Sequence, residues 1–292
     1  MTSHPAVRRT TPGQAPSSSD AMSRFRAIVY QESGIALQET KDTMIQQRLS
    51  KRMRAIGMTN LDSYLKRILG DESFRAERTA AVQAMTTNTT YFFREPVHFE
   101  VLQDTIVPEL FQNNPRSDRT VRIWSVAASE GAEAYTAAMA MEVLREIYPL
   151  TDYEIIGTDF SHKMLTRASR GVYKLEQLEG IPLSLRRKYV QTSKDPKFMD
   201  YGRIADSIRS RCQFRHLNLM ESPYALPNNF DVAFLRNVLI YFTPADQKKV
   251  ISSVIKHLVP GGYLIVGHSE CMAVQRDDLT ALRPTIYRKS LT

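Results

Sequence analysis

Beyond residue 118, apolar strands alternate with amphipathic helices, and this alternation limits the possible folds more than any other feature. TVRIWSVAA predicts a strand, and EAYTAAMAMEVLREIY, with apolar residues four apart, predicts a helix. YEIIGTDF, FDVAFLRN and GGYLIVGHS predict further strands, with the helical segments SHKMLTRASRG and PADQKKVISSVIKHL between them. Such alternation is typical of parallel βαβ units and a doubly wound α/β sheet. The final strand, PTIYRKS, follows too closely for a helical crossover, so we expect it to pair antiparallel with YLIVGHS.

Residues 20–84 have a different pattern, which predicts a small all-α domain. Four segments with helical periodicity follow one another, and the first three end at Gly34, Gly57 and Gly70. Glycine directly after a periodic segment is a good signal for the end of a helix. Residues 1–19 are rich in Ser, Thr and Pro and have no periodic apolar face, so we expect a disordered tail there.

Residues 190–217 interrupt the alternation of strands and helices within the predicted sheet domain, which spans residues 97–292. The segment contains short strand-like pieces, basic residues and turn formers. We therefore expect a small inserted β-subdomain at 190–217.

The composition excludes several classes of protein. The longest apolar runs fall well short of the ~20 residues that cross a membrane, and the N-terminus lacks the apolar core of a secretory signal. Cys212 and Cys271 form no CxxC pair, which favours a reducing compartment and a cytoplasmic location. The six histidines show no metal-ligand spacing, so we expect no metal site.

A net charge of +8 and a pI near 9.4 belong either to an ordinary soluble basic protein or to one with a polyanionic partner, which is nucleic acid or an acidic protein surface. In the second predicted helix, Arg48, Lys51 and Arg52 share one face by their i, i+3 and i+4 spacing, and Arg54 follows them. This face is either an ordinary solvated surface or a docking surface for an acidic helix.

Polar residues follow the predicted strands at the points where ligands bind in open α/β sheets. After the first strand, AASEGAEAY brings Gly131 and then Glu133 at the start of a helix. Asp159 ends the second strand, 28 residues past Gly131, where a carboxylate can accept both hydroxyls of a ribose or cap a helix. Arg236 and Asn237 follow the strand FDVAFL. The sheet, Asp159 and the helix stop LVPGGYL together resemble class I S-adenosylmethionine methyltransferases. Nicotinamide enzymes share the sheet and the carboxylate, but they do not usually end in a Pro-Gly-Gly strand with an antiparallel partner.

The stretch MTTNTTYFFREP, residues 85–96, connects the two predicted domains and has an unusual composition for a connector. Threonine and asparagine bond to nearby backbone and favour irregular structure over helix interiors. Three aromatic residues and Arg94 follow them directly. We therefore predict a linker that contributes to the active site.

Five segments in this order, TTNTTYFFRE, WSVAASEGAEAY, FRHLNL, LRNVLIYF and GGYLIVGHSE, resemble the glutamate methyltransferases of chemotaxis receptors, the CheR family. The resemblance covers about residues 20–290. It implies that the linker folds over S-adenosylmethionine, with Arg94 and Tyr241 near the transferred methyl group. The residues that it implies for cofactor binding are Asn88, Thr90, Arg94, Glu133, Asp159, Asn218, Leu219, Arg236 and Asn237.

The same resemblance implies the activity and the partner. It implies methyl transfer from S-adenosylmethionine to glutamate carboxylates on the cytoplasmic helical domain of methyl-accepting chemotaxis receptors, with S-adenosylhomocysteine as product. A monomer without membrane insertion or nucleic-acid binding is expected. The first loop departs from the family pattern ASTGEEPYS at Glu130, Ala132 and Ala134. This leaves two alternatives open: a non-catalytic or specialised receptor-binding member, or a methyltransferase that acts on another acidic protein. A nucleic-acid methyltransferase is disfavoured because RNVLIYF replaces the Asn/Asp-Pro-Pro-Tyr/Phe motif of amino-group methylases.

Overall fold

The computed structural model describes residues 18–112, 120–148 and 152–291. These residues divide into two compact units. The first unit consists of the residues up to Gln31 together with Leu37–Met85. The second consists of Glu32–Ala36 together with the residues from Thr86 onward. Of the predicted disordered tail, residues 1–17 lie outside the described residues, whereas Ser18 and Ser19 already belong to the first helix.

The first unit is helical, as the periodicity of the sequence predicts. Leu49 and Met53 of the second helix and Tyr64 of the third are among its buried side chains. The third helix begins at Asn60, whose side chain accepts a hydrogen bond from Ser63 N at 2.8 Å. Gly57 follows the second helix with a φ of +73°, a left-handed conformation that favours glycine. The helices are α1 Ser18–Ser33, α2 Asp42–Ala55, α3 Leu61–Gly70 and α4 Arg75–Gln83.

The second unit is an α/β domain. Its described helices are α5 Val97–Val101, α6 Val107–Gln112, α7 Ala132–Ile147, α8 His162–Arg170, α9 Leu183–Tyr189, α10 Asp206–Arg209 and α11 Pro244–Lys256. A π-helical turn, Leu102–Ile106, joins α5 to α6. Its described strands are β1 Thr120–Ser125, β2 Asp152–Asp159, β3 Val172–Lys174, β4 Val190–Thr192, β5 Tyr201–Ile204, β6 Cys212–His216, β7 Phe230–Leu235, β8 Leu258–Val266, β9 Leu279–Arg283 and β10 Ile286–Lys289.

Seven of these strands form one mostly parallel sheet in the order β6-β2-β1-β7-β8-β10-β9. The pairs β2–β6, β1–β2, β1–β7 and β7–β8 are parallel, which confirms the predicted doubly wound sheet. β10 pairs antiparallel with β8, with Ile286 opposite Ile265, and this confirms the predicted antiparallel last strand. The edge strand β9 was not predicted.

Both faces of the sheet are covered. Consecutive residues of a strand point to opposite faces, so one buried strand contributes side chains to two core clusters. On one face, Val232 and Phe234 of β7 belong to a core cluster with Met139 of α7. On the other face, Ala233 of β7 belongs to a cluster with Val250 of α11. The two covered faces leave the carboxyl ends of the central strands accessible.

The structure corrects the bounds of the predicted inserted subdomain. A separate three-stranded sheet, in the order β3-β5-β4, includes Val172–Lys174 from before the predicted segment and ends at Ile204. Cys212–His216, by contrast, forms β6, the parallel edge strand of the main sheet beside β2. An edge strand with polar residues in alternation looks locally like an isolated hairpin strand, and its pairing partner lies more than fifty residues away. The range 190–217 is therefore not one structural piece.

Candidate functional site

A cleft lies at the carboxyl ends of β1, β2 and β7, within the second unit. In the sheet β1 stands between β2 and β7, so the connections that leave the central strands diverge at this point. The cleft is open to solvent, and the space between its lining residues, open solvent included, is about 990 Å³. Each residue predicted from the sequence for cofactor binding or catalysis lines this cleft: Asn88, Thr90, Arg94, Glu133, Asp159, Asn218, Leu219, Arg236, Asn237 and Tyr241.

The loop between β1 and α7 is fastened to the end of β2. The backbone N–H of Ser129 donates to Asp159 Oδ2 at 2.8 Å, and the N–H of Ser161 donates to Oδ1 at 2.8 Å. Burial raises the pKa of Asp159, although these two donors oppose the shift. Each carboxylate oxygen keeps a lone pair for a further donor in the cleft. Gly131 turns this loop with a φ of +92°, and an added Cβ would lie 3.0 Å from the Ala168 side chain.

Glu133 at the start of α7 is mostly buried, with 13% of its side chain exposed. Its Oε1 accepts from the Ser125 hydroxyl at 2.7 Å, and its Oε2 accepts from Arg236 Nη1 at 2.9 Å. Burial raises the pKa of Glu133, and the Arg236 charge acts against that shift. The guanidinium of Arg236 also donates to the Arg94 carbonyl, so it joins the loop after β7 to both α7 and the linker.

The linker is held along the rim of the cleft by bonds to its backbone. The Ser129 hydroxyl donates to the Asn88 carbonyl at 3.1 Å, and the Phe93 N–H donates to Thr136 Oγ1 at 3.1 Å. Residues 86–91 and Arg94 line the cleft. The threonine-rich stretch is therefore part of the site wall.

The aromatic part of the linker anchors it in the core. Phe92 is buried, and its ring meets Tyr173 edge to face with centroids 5.1 Å apart. Phe93 and Glu95 have φ values of +55° and +54°, a left-handed conformation that is uncommon outside glycine and asparagine. Such conformations persist where surrounding contacts fix them, and they concentrate at functional sites.

Arg94 and Tyr241, the two residues predicted for catalysis, have different local supports. Arg94 Nη1 donates to the Thr89 carbonyl at 3.2 Å, and its guanidinium lies 5.5 Å from the Tyr91 ring centroid. Tyr241 ends a 3-10 turn, Leu239–Tyr241, and its carbonyl accepts from Ala36 N at 3.0 Å. Both side chains are half-buried, so a ligand in the cleft has access to them.

Glu270 is a structural residue of the site that sequence reasoning missed. It is buried, and its carboxylate accepts three backbone N–H bonds, from Asn237 at 2.6 Å, Leu239 at 2.7 Å and Gly267 at 2.9 Å. Asn237, at a φ of +58°, lines the cleft. Glu270 therefore fixes the loop after β7 against the loop after β8. Glu270 lies in the segment GGYLIVGHSE, but two of its three partners, Asn237 and Leu239, are 33 and 31 positions away in the chain.

The segment Glu32–Ala36 was also missed as part of the site. Ser33 and Ile35 line the cleft. Asn218 Nδ2 donates to the Glu32 carbonyl at 2.8 Å and to Glu221 Oε1 at 3.0 Å, while its Oδ1 accepts from Met220 N at 3.1 Å. The side chain of Asn218 is thus engaged in holding the wall together.

The three residues predicted to dock a partner lie on α2 in the first unit. Arg52 Nε donates to Glu77 Oε1 at 3.1 Å, and Arg48 Nη1 donates to the Met85 carbonyl at 2.6 Å. Lys51 is exposed, and so is Arg54 further along the helix. Two members of the predicted face therefore support the fold of this unit, while Lys51 and Arg54 extend into solvent.

No metal site was expected from the spacing of the histidines, but the fold brings two of them together. Glu95, His98 and His268 place one ligand atom each within 4.8 Å of the others, among the described residues. These three residues do not line the cleft.

The donor set of the cleft fits S-adenosylmethionine. Glu133 and Asp159 offer carboxylate oxygens for an ammonium group and a ribose diol. Phe160, Leu217 and Leu219 offer an apolar surface for a flat base. This fold, with acidic residues after β1 and β2, defines a class I S-adenosylmethionine-dependent methyltransferase.

Family models and known relatives support a narrower assignment. Residues 20–86 match the model "CheR methyltransferase, all-alpha domain", and residues 88–287 match "CheR methyltransferase, SAM binding domain". The chain belongs to the CheR family of chemotaxis methyltransferases.

Three relatives illustrate the similarity. The chain is 35% identical over 262 residues to the chemotaxis protein methyltransferase of Vibrio parahaemolyticus, covering 89% of this chain and 92% of that protein. Identity to the chemotaxis protein methyltransferase of Borreliella burgdorferi is 32% over 273 residues, with 93% and 94% covered. Identity to that of Escherichia coli is 31% over 267 residues, with 91% and 90% covered.

Among the described residues, no helix has the length and apolar character that a bilayer crossing requires.

Proposed function

We propose that the protein transfers the methyl group of S-adenosylmethionine to glutamate side chains on the cytoplasmic helices of chemotaxis receptors, forming methyl esters. The observation that carries this proposal is the placement of Arg94 and Tyr241 in the same cleft as the partly buried acids Glu133 and Asp159. Membership in a family of chemotaxis methyltransferases supports it. A monomeric state and a cytoplasmic location stay predictions.

The chemistry of a glutamate acceptor agrees with the residues in the cleft. A glutamate carboxyl has an ordinary pKa of about 4.3 and is ionised at neutral pH, so the protein has no proton to remove. Among the described residues that line the cleft, none is a histidine, lysine or cysteine. S-adenosylmethionine, when bound, supplies a methyl group made electrophilic by its sulfonium.

The roles proposed for the lining residues are positioning and charge. Glu133 and Asp159 hold the amino-acid and ribose parts of the cofactor, with Asn88 and Thr90 bonding to it from the linker. Asn218 and Leu219 lie beside the adenine, and Arg236 and Asn237 complete the wall. Arg94 attracts and orients the acceptor carboxylate, and the Tyr241 hydroxyl donates to it. Orientation of two reactants is worth about 7–11 kcal/mol at its upper end.

The departures from the family loop leave the cleft intact, which favours a catalytic member over a binding module without activity. Glu130, Ala132 and Ala134 are absent from the described lining of the cleft, whereas Ser129 and Glu133 of the same loop are present. Glu130 bonds instead to Gln177 at 2.9 Å and lies 3.6 Å from Arg167. The substituted positions therefore face the neighbouring elements.

The test is a transfer assay with tritiated S-adenosylmethionine and receptor-bearing membranes. We expect label in the receptor band that base treatment releases as volatile methanol, since esters hydrolyse and methylamines do not. A receptor whose candidate glutamates are changed to alanine serves as the matched acceptor control. Base-stable label would mean that the methyl acceptor is a nitrogen atom and not a carboxylate. Heat on titration with S-adenosylhomocysteine, but no label in any receptor, would favour a non-catalytic receptor-binding protein.

A further inference from the structure

The imidazole of His98 is buried and has a hydrogen-bond partner at one of its two ring nitrogens. His98 is fully buried in α5, and its Nε2 lies 2.8 Å from Thr285 Oγ1. The Thr285 hydroxyl donates its proton to the Pro284 carbonyl. In the tautomer that carries its proton on Nε2, His98 donates to Thr285 Oγ1 and keeps a lone pair on Nδ1.

That lone pair faces a carboxylate. His98 Nδ1 lies 3.5 Å from Glu95 Oε2. Both atoms are buried, and neither has a hydrogen-bond partner among the described residues. Glu95 Oε2 has the Arg236 guanidinium nearby, at 3.4 Å, whereas a lone pair on the buried His98 Nδ1 has no donor or cation that would compensate for its lost hydration. His98 Nδ1 and Glu95 Oε2 are both atoms of the kind that ligate a cation.

His268 supplies a third ligand atom from the turn after β8. Its Nδ1 lies 3.0 Å from the same oxygen, Glu95 Oε2, and its side chain is 63% exposed. The three ligand atoms lie within 4.8 Å of one another. A tetrahedral Zn²⁺ with bonds of about 2.0–2.1 Å separates neighbouring ligand atoms by about 3.3 Å. His268 now stacks on His98 with an angle of 17° between the ring planes, so the exposed His268 ring has to rotate for both nitrogens to face one metal ion.

The surroundings select the class of cation. Arg236 Nη2 lies 3.4 Å from Glu95 Oε2 and opposes any cation there, but its other bonds go to Glu133 and to the Arg94 carbonyl. One carboxylate beside an arginine is too little for Ca²⁺ or Mg²⁺, which need several oxygen ligands. Two imidazole nitrogens suit the later first-row metals instead.

We propose that Glu95, His98 and His268 form a binding site for a divalent transition metal of the Zn²⁺ class, with a fourth coordination position open to solvent. The hydrogen bond from His98 Nε2 to Thr285 is the kind of outer contact that orients a metal-ligating histidine. The site shares Glu95 with Arg236, which lines the cleft, but its three ligands stand outside the cleft.

The test is calorimetric titration of Zn²⁺ into the full chain, without an affinity tag and after treatment with a chelator. We expect one site per chain in the micromolar range, and the visible absorption of a low-symmetry site when Co²⁺ is used. His268→Ala removes an exposed ligand and is expected to weaken Zn²⁺ binding at least about tenfold, a loss typical of a missing ligand or its support. His162→Ala is the matched control, since His162 is an exposed histidine stacked on His216 outside the cluster.

His98→Gln, which removes the buried ligand, is expected to have the same effect as His268→Ala. Titration with S-adenosylhomocysteine checks that each variant is folded. Unchanged Zn²⁺ affinity in His268→Ala, or no Zn²⁺ binding by the wild type at millimolar metal, would overturn the proposal whatever becomes of His98→Gln.

Discussion

Glu133 and Arg236, which are 103 positions apart in the chain, form a largely buried ion pair of 2.9 Å that joins the helix after β1 to the loop after β7. The Arg236 side chain is 1% exposed and also contacts Glu95 and the Arg94 carbonyl. A buried cation needs such partners, because removal of one leaves an uncompensated charge. The pair therefore gives the cleft both its shape and its charge balance.

Glu133→Gln tests this pair. The amide keeps the size of the carboxylate but removes its charge, which the proposed function assigns to the cofactor's ammonium group. We expect the Kd for S-adenosylhomocysteine to rise at least about tenfold, about 1.4 kcal/mol. Titration calorimetry measures it. Glu130→Gln, in the same loop but outside the described cleft lining, should leave the Kd unchanged. Equal effects of the two changes would remove Glu133 from cofactor binding.

Glu270→Gln tests the loop after β7. The amide turns one acceptor into a donor that faces backbone N–H groups, and an unsatisfied buried group costs about 1–3 kcal/mol. A loss of 1 kcal/mol lowers Tm by about 2–4 °C in a domain of roughly this size. We expect a lower Tm and weaker binding of S-adenosylhomocysteine, since Asn237 loses its support. Glu154→Gln, an exposed control on β2, should leave both unchanged. A wild-type Tm for Glu270→Gln would mean that the loop is held by other contacts.

The sequence predicted most of the sheet because its signals there are local. Period-four apolar residues mark α7, and Gly131 marks the turn before it. The β8–β10 pairing followed from a connection too short for a crossover. These features depend on neighbours a few residues apart, which a single sequence displays.

What the sequence did not predict depends on long-range contacts. Asn218 bonds to the Glu32 carbonyl, 186 positions away in the chain. The sequence around residue 32 therefore does not indicate that this segment lines a cleft. We predicted β6 to lie in the inserted subdomain because the local sequence pattern does not show the order of the strands in a sheet. The Glu95–His98–His268 cluster joins parts of the chain 170 positions apart, beyond the reach of any ligand-spacing rule.

The raised pKa of Asp159 predicts a pH dependence of cofactor binding. Burial raises this pKa, so protonation begins at a higher pH than for an ordinary aspartate and removes an acceptor for the ribose. We expect the Kd for S-adenosylhomocysteine to rise as the pH falls from 7.5 to 5. Asp159→Asn should bind more weakly at pH 7.5 and show a smaller pH dependence. A variant with the full wild-type pH profile would assign the titration to another group.

The raised pKa of Asp159 has the opposite consequence for folding stability, because protonation that weakens cofactor binding stabilises the folded state. Because the folded-state pKa lies above that of the unfolded chain, the folded state binds the proton more tightly. This carboxyl therefore makes the free energy of unfolding larger as the pH falls from the folded-state pKa to the unfolded one. The difference between wild type and Asp159→Asn in urea unfolding at several pH values isolates that contribution.

Arg94→Ala tests the proposed positioning of the acceptor carboxylate. The guanidinium of Arg94 is half-buried, and the hydrogen bond that the structure gives for this side chain goes to the Thr89 carbonyl. Loss of the side chain should therefore not unfold the domain. Removal of one such charge-orienting group lowers turnover about 10²–10³-fold. We expect that loss in the receptor methylation rate, with Tm unchanged. Arg187→Ala, an exposed arginine on α9, is the control. Turnover near that of the wild type would take Arg94 out of the mechanism.

Lys51 and Arg54 test the docking face of α2. Arg48 and Arg52 bond to the Met85 carbonyl and to Glu77, so charge reversal at those positions would damage the first unit and confuse the result. Lys51 and Arg54 are exposed, and their reversal leaves those bonds in place. If an acidic receptor helix docks here, Lys51→Glu combined with Arg54→Glu should raise KM for receptor several-fold and leave KM for S-adenosylmethionine unchanged.

The effect of this double reversal should also shrink as salt rises, because exposed charges are screened over about 8 Å at physiological ionic strength. Lys248→Glu, an exposed lysine on α11, changes the net charge in the same direction and controls for a general electrostatic effect. Initial rates at varied receptor and at two salt concentrations give the comparison. An equal rise in receptor KM for Lys248→Glu would mean that net charge steers the encounter, and unchanged KM in the α2 variant would make this face an ordinary solvated surface.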